Sequence, residues 1–231
     1  MVVAVTDRVG TDEAGKGPAL GPMVAAAVRA PPGALPDGID DSKRLSAARR
    51  ERLVERLRED DRTAVATVAV EPVRIDDPET DMNSLTVAAH ADALGEVLPA
   101  ESESESGIEV ILDGADVDPA RFARRVGDAV RAEGADRSRA GMRAEHGADG
   151  AHPVVGAASV VAKVERDRRV AAIDAAHDRS IGSGYPSDPT TRAFLRAYVR
   201  EHGELPPAAR ESWSTCQDAL AAVEQSGLEE F

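Results

Sequence analysis

Gly10-Thr11-Asp12-Glu13-Ala14-Gly15-Lys16-Gly17-Pro18-Ala19-Leu20-Gly21-Pro22 sets two adjacent carboxylates between a β-forming segment, Val2 to Val9, and a loop of three glycines. Glycine lacks a Cβ, so such a loop lets backbone approach a ligand closely. Neighbouring strand residues point to opposite faces. Asp12 and Glu13 can therefore serve one metal only if the strand ends near Asp12, and the glycines predict that ending. The stretch reads as a metal site beside a phosphate cradle. Gly10, Gly15 and Lys16 also satisfy part of a nucleotide-binding P-loop, but Gly17 stands where a Ser or Thr hydroxyl would hold magnesium. Pro18 and Pro22 interrupt the helix that such a loop requires.

Outward from this stretch, 231 residues with 42% hydrophobic content suffice for one large domain or a domain with a small appendage. No apolar run approaches the roughly 18 residues that span a bilayer, and no basic segment followed by an apolar signal region opens the chain. A soluble cytoplasmic protein without a membrane partner is expected. The lone Cys216 allows no internal disulfide and reads as a partly buried small apolar residue. A net charge of −14 argues at first against a polyanionic partner. Lysine, however, occurs only at positions 16, 43 and 163, and aromatics make up 3%. Acid excess, scarce lysine and few aromatics predict work in concentrated salt, where the Debye length shrinks to about 3 Å at 1 M and only short-range contacts count. The three lysines all fall in distinctive segments: the glycine loop, Asp40-Asp41-Ser42-Lys43-Arg44, and Ala157-Ala158-Ser159-Val160-Val161-Ala162-Lys163.

Along the chain, Met23 to Val28 predicts a second strand, Ser46 caps a helix running through Arg58, and Thr63 to Val70 alternates as a strand. Met82 to Leu98 is an alanine-rich helix, and the Ser/Glu run 101–106 is a solvated loop. Glu109-Val110-Ile111-Leu112-Asp113 is a short apolar strand ending in a carboxylate. A helix over Phe122 to Glu133, a strand over Gly141 to His146 and a long helix over Val154 to His177 follow. Beyond a Gly/Pro/Ser loop containing Tyr185, helices are expected over Thr190 to Glu201 and Pro207 to Glu224. Alternating strands and helices imply an α/β layer structure with a helical C-terminal segment. Asp12 with Glu13, Asp113 and Asp149 fall at or just past strand ends, where ligands of α/β folds collect.

Four carboxylates without a cysteine set or a His-x-x-x-His pair suit hard cations, Mg²⁺ or Mn²⁺. Two such ions roughly 3.5 to 4 Å apart can activate water and stabilise the leaving oxygen of a phosphodiester. His146 and His152 bracket Asp149 and are candidates for a place near the metals or for a structural role.

Asp12-Glu13-Ala14-Gly15 with Gly17-Pro18 and Gly21-Pro22, Asp41-Ser42-Lys43, Asp113, Ala157-Ala158-Ser159 through Ala162-Lys163-Val164, Arg166-Asp167, Gly182-Ser183-Gly184-Tyr185-Pro186 and Ser212-Trp213 occur in order over residues 9 to 215. This pattern resembles ribonuclease HII, especially its archaeal members. The resemblance implies a ribonuclease H-like fold, a mixed five-stranded sheet flanked by helices with a helical C-terminal region. It divides the chain into a catalytic domain over residues 1–180, a helical substrate-binding region over 181–224 and a tail over 225–231. It implies endonucleolytic cleavage of RNA in RNA/DNA hybrids and at single ribonucleotides embedded in duplex DNA, leaving 5′-phosphate and 3′-hydroxyl ends.

By motif, Asp12, Glu13, Asp113 and Asp149 become the catalytic metal-binding set for two ions. Gly15, Lys16 and Gly17 correspond to the family's Gly-Arg-Gly element that senses the ribose 2′-hydroxyl, and Tyr185 to the tyrosine packing on the next sugar. Lys16 replaces the usual arginine, keeping the charge while losing the forked donors. Lys43, Arg44 and Lys163 are candidates for phosphate contacts. Gly147 and Gly156 depart from the commoner family choices. The tail, with Gln225, Leu228 and Phe231, resembles a sliding-clamp docking peptide lacking its second aromatic, and a monomer is the family-based expectation. A non-catalytic hybrid-binding protein and the P-loop NTPase are the competing readings.

Overall fold

The computed structural model describes residues 7–39, 45–99, 108–132 and 141–228, with the side chains of 224–228 excepted. β1 (Arg8–Ala14) pairs antiparallel with β2 (Met23–Ala30) and parallel with β4 (Glu109–Asp113), which in turn pairs parallel with β5 (Gly141–Glu145). With β3 (Ala64–Val70) outside β2, the sheet has the order β3-β2-β1-β4-β5. It is the mixed five-stranded sheet expected.

Period-two alternation divides the sheet residues between two layers of helix. Val9, Ala27, Val110 and Leu112 pack with α3 (Met82–Val97) and α4 (Pro119–Ala132). Ala26, Val28 and Ile111 pack with α1 (Ala47–Glu59) and α6 (Pro153–Ala175). Ser46 caps α1 as expected, its side chain accepting from Arg49 N–H. A Cβ on Gly10 would lie 2.5 Å from the Val154 carbonyl, so this glycine lets α6 seat directly on β1. Such an overlap is far inside van der Waals contact, and only backbone movement would relieve it.

By packing, the chain forms two compact units. One comprises Met1–Ala14, Val24–Ala69 and Asn83–Glu165, and contains nearly all of the sheet. The other comprises Gly15–Met23, Val70–Met82 and Arg166–Phe231. It holds α2 (Pro72–Ile75), α7 (Pro189–His202) and α8 (Ser214–Leu228), with its own core of Leu20, Ile181, Phe194, Leu195, Val199 and Cys216 among others. Cys216 is buried, and burial pushes its thiol up to about 11. No helix among the described residues is long and apolar enough to cross a membrane.

Two local expectations need correction. β1 does not stop near Asp12: Asp12 pairs with Ala26, Glu13 with Ala25 and Ala14 with Val24. The first position demanding left-handed backbone is Gly15, at φ +82°, so the glycine break comes three residues later than the acid pair suggested. The last helix begins at Ser214, not Pro207. Residues 206–213 form turns whose backbone bonds reach the glycine loop, from Gly21 N–H to Ala208 O and from Arg210 N–H to Ala19 O, each at 2.8 Å.

Candidate active site

Because β1 continues past them, Asp12 and Glu13 project to opposite faces of the sheet. Asp12, opposite Ala26, faces α6, while Glu13 shares the α3 face with Thr11. Asp12 is 6% exposed. Its carboxyl is raised from the usual 3.8 to about 7 by burial, with the Glu13 and Asp113 charges adding to the shift and a hydrogen bond from Ser159 opposing it. Asp12 Oδ1 also accepts the Glu13 N–H at 2.7 Å.

Asp113 ends β4, alternating with Leu112 so that it faces the same side as Ile111. Its carboxyl is raised by burial and by the charges of Asp149 and Glu13, against hydrogen bonds from the backbone of Ala148 and Asp149. The short helix α5 (Ala148–Ala151) follows Gly147, which adopts φ +67°, and places Asp149 in a buried position. Gly156 accommodates this turn: a Cβ there would meet the Asp149 carbonyl at 3.0 Å. The four predicted acids are thus coupled through charge. Among the described residues, no three carboxylate, imidazole or thiol groups close around one point as metal ligands.

Lys163 Nζ donates to Ser159 Oγ at 2.7 Å, one turn back along α6, and Ser159 in turn bonds Asp12. The lysine therefore stands two hydrogen bonds from an acid of the set. On the other face, His90 bridges Glu13 and Thr11. His146 Nδ1 approaches Gly114 O at 3.2 Å and His152 Nε2 approaches Glu145 Oε2 at 3.0 Å, so both histidines have partners outside the four acids.

The glycine loop belongs to the second unit, where Arg210 organises it. This fully buried guanidinium donates from Nε to Gly21 O at 2.9 Å, from Nη1 to Lys16 O at 3.0 Å and from Nη2 to Gly15 O at 2.6 Å. Burial and the nearby Arg166 lower it to about 10. Trp213 lies 5.0 Å from the guanidinium and donates its indole N–H to Gly17 O at 3.1 Å. In a trans peptide, C=O and the following N–H point oppositely. Turning the Gly15 and Lys16 carbonyls onto Arg210 therefore aims the Lys16 and Gly17 amides away from it. Gly184 O accepts from Ala19 and Leu20 N–H, and the Tyr185 ring lies 4.0 Å from where a Gly17 Cβ would stand. Arg166 holds this loop through Ser183 O at 2.6 Å and sits 5.2 Å over the Tyr185 ring, which is 39% exposed. Gly15, Lys16, Gly17 and Tyr185 are thus brought together. No helix follows Lys16, as a P-loop would need; the chain passes to β2 instead.

Lys43 and Arg44 lie outside the described residues, as does Phe231, while Gln225 and Leu228 are described only as backbone of α8. Sequence reasoning missed His90, Thr11 and Arg210. A histidine alone in an alanine-rich helix, and a basic residue just before the Ser-Trp pair at 212–213, were the available signals.

Comparisons with known proteins bear on the chain's family and fold. The sequence profile described as Ribonuclease HII matches residues 9–216. A ribonuclease HII from Halobacterium salinarum, a halophilic archaeon, is 58% identical over 224 residues, covering 97% of this chain and 99% of its own. The crystal structure of ribonuclease H2 from Pyrococcus horikoshii OT3 superposes with a TM-score of 0.81 at 32% identity, covering 95% of this chain and 100% of that one. The ribonuclease HII in a PCNA complex from Archaeoglobus fulgidus gives 0.73 at 31% identity, covering 92% and 96%. The chain belongs to the ribonuclease HII family, endoribonucleases that cut the RNA of RNA/DNA hybrids.

Proposed function

We propose that Asp12, Glu13, Asp113 and Asp149 hold two divalent cations, Mg²⁺ or Mn²⁺, and that the enzyme cuts single ribonucleotides embedded in duplex DNA as well as longer hybrids. The observation supporting this is that Asp12 and Asp149 are buried and the four acids feel one another's charge: burial foremost, with the Glu13 and Asp113 charges adding, raises the Asp12 carboxyl to about 7. A divalent cation relieves that repulsion, and an all-oxygen donor set suits hard ions. When bound, such ions supply an activated water and neutralise the leaving oxygen, which departs as a 3′-hydroxyl while the phosphate stays on the 5′ end.

The chain's own groups do the rest. Ser159 orients Asp12, and Lys163 neutralises substrate phosphate near Asp12. Lys43 and Arg44 add further phosphate contacts. The Lys16 and Gly17 amides, aimed away from Arg210, read the ribose 2′-hydroxyl, the group that distinguishes RNA from DNA. Tyr185 packs on the neighbouring sugar. Gln225, Leu228 and Phe231 dock a sliding clamp, as the Archaeoglobus relative's complex with PCNA suggests. The working form is a cytoplasmic monomer.

The test is cleavage of a duplex containing one ribonucleotide, run across Mg²⁺, Mn²⁺ and KCl concentrations. Metal-dependent incision yielding 5′-phosphate ends supports the reading. Binding without turnover would return the molecule to a hybrid-binding protein.

A further inference from the structure

His90 is fully buried on α3, a helix whose other buried residues are almost all apolar. Burying an imidazole among such residues is unfavourable unless its nitrogens find partners. They do. Nε2 lies 3.0 Å from Glu13 Oε2, Nδ1 lies 2.8 Å from Thr11 Oγ1, and the ring meets Phe122 edge-on, with centroids 5.2 Å apart and planes at 82°. A carboxylate oxygen can only accept, so Nε2 holds the hydrogen of the first contact. Thr11 and Glu13 are two residues apart on β1, which puts both on the face that α3 covers. Thr11 and Phe122 therefore brace the ring, and the ring holds one oxygen of Glu13.

We propose that His90 is a positioning residue that fixes the Glu13 carboxylate for metal binding. The proposal rests on Glu13 being a metal ligand. Glutamate is long and flexible, and this one emerges on the opposite face from Asp12. A hydrogen bond from a rigid, braced ring fixes one of its oxygens and so narrows the directions the other can take, beside acids whose charge already couples to Glu13. Partners of this kind behind ligating carboxylates typically change metal affinity by about ten- to a hundredfold.

The test is calorimetric titration of Mn²⁺ into the full chain, with thermal unfolding measured separately without metal. Glu13→Gln and His90→Phe are each expected to weaken Mn²⁺ binding at least about tenfold, and the double variant to bind no more weakly than Glu13→Gln alone. His90→Gln, which keeps an N–H donor, is expected to recover most of the loss. His90→Phe keeps the edge contact with Phe122 but leaves the buried Thr11 hydroxyl without its imidazole partner, so its metal-free melting temperature is expected to fall while the chain still folds. Parent-like Mn²⁺ affinity in a folded His90→Phe, or additive losses in the double variant, would overturn the proposal. If His90→Phe does not fold, Thr11→Val removes only the brace: weaker Mn²⁺ binding supports the proposal and unchanged binding sinks it. Unchanged affinity in Glu13→Gln would instead remove Glu13 from the ligand set, and the proposal with it.

Discussion

The Asp113 carboxylate accepts the backbone N–H of Ala148 at 2.7 Å, so the side chain that ends β4 also holds the turn presenting Asp149. One acid thereby positions another. In Asp113→Asn the amide oxygen still accepts that hydrogen bond, so the fold is expected to persist by circular dichroism. Losing a metal-holding carboxylate at about 4 kcal/mol corresponds to about a thousandfold loss of cleavage. Parent-like cleavage by this variant would remove Asp113 from the catalytic set.

Asp12 makes the metal-free protein sensitive to pH in an unusual direction. Below pH 3.8 the carboxyl is protonated in both the folded and the unfolded chain and costs nothing. As pH climbs toward about 7, the unfolded chain releases this proton while the folded one retains it, and the folded state loses ground. Metal-free protein is therefore expected to melt lower at pH 8 than at pH 5, and Asp12→Asn to lose most of that dependence along with cleavage. Cation binding favours the ionised carboxylate, so at pH 6 it should expel protons, read as a binding enthalpy that varies with the buffer's ionisation enthalpy. Parallel melting curves for parent and Asp12→Asn across this range would refute the assignment.

Arg210→Lys replaces a three-bond fork to Gly15, Lys16 and Gly21 with a single ammonium. Carbonyls left without donors in a buried site cost about 1–3 kcal/mol each. A lower melting temperature is expected, together with weakened preference for a lone ribonucleotide over a DNA-only duplex in competitive binding. Full retention of that preference would show that the loop keeps its shape without the fork.

Lys16 is tested by what its arginine counterpart adds. If the Lys16 and Gly17 amides do the reading, Lys16→Arg should leave the incision position at a lone ribonucleotide unchanged and alter KM by less than about threefold. Cleavage whose position wanders in the parent enzyme would contradict backbone reading.

For the tail, a fluorescent peptide covering residues 219–231 is expected to raise its anisotropy with the clamp, and Phe231→Ala to abolish the change. No binding at tens of micromolar clamp would retire Gln225, Leu228 and Phe231 as a docking motif.

Much of the fold was legible in the sequence. The β1 acids, the carboxylate closing Glu109–Asp113 and the helical C-terminal segment follow from hydrophobic period and turn residues. What escaped depended on partners distant in sequence. The end of β1 was misplaced because Glu13 and Ala14 gain ladder bonds from Ala25 and Val24, which outweigh the nearby glycines. Residues 207–213 were expected to open the last helix, yet the backbone of Ala208 and Arg210 is engaged by loop atoms nearly 190 positions earlier. His90 carries no periodic signature; only the fold shows that its two nitrogens face Thr11 and Glu13.

The anchoring of the glycine loop by Arg210 also sets an order of events during synthesis. A nascent chain can assemble β1 and bring out its acids, but the carbonyls of Gly15, Lys16 and Gly21 wait for a guanidinium made almost two hundred residues later. The element proposed to recognise ribose is thus shaped last.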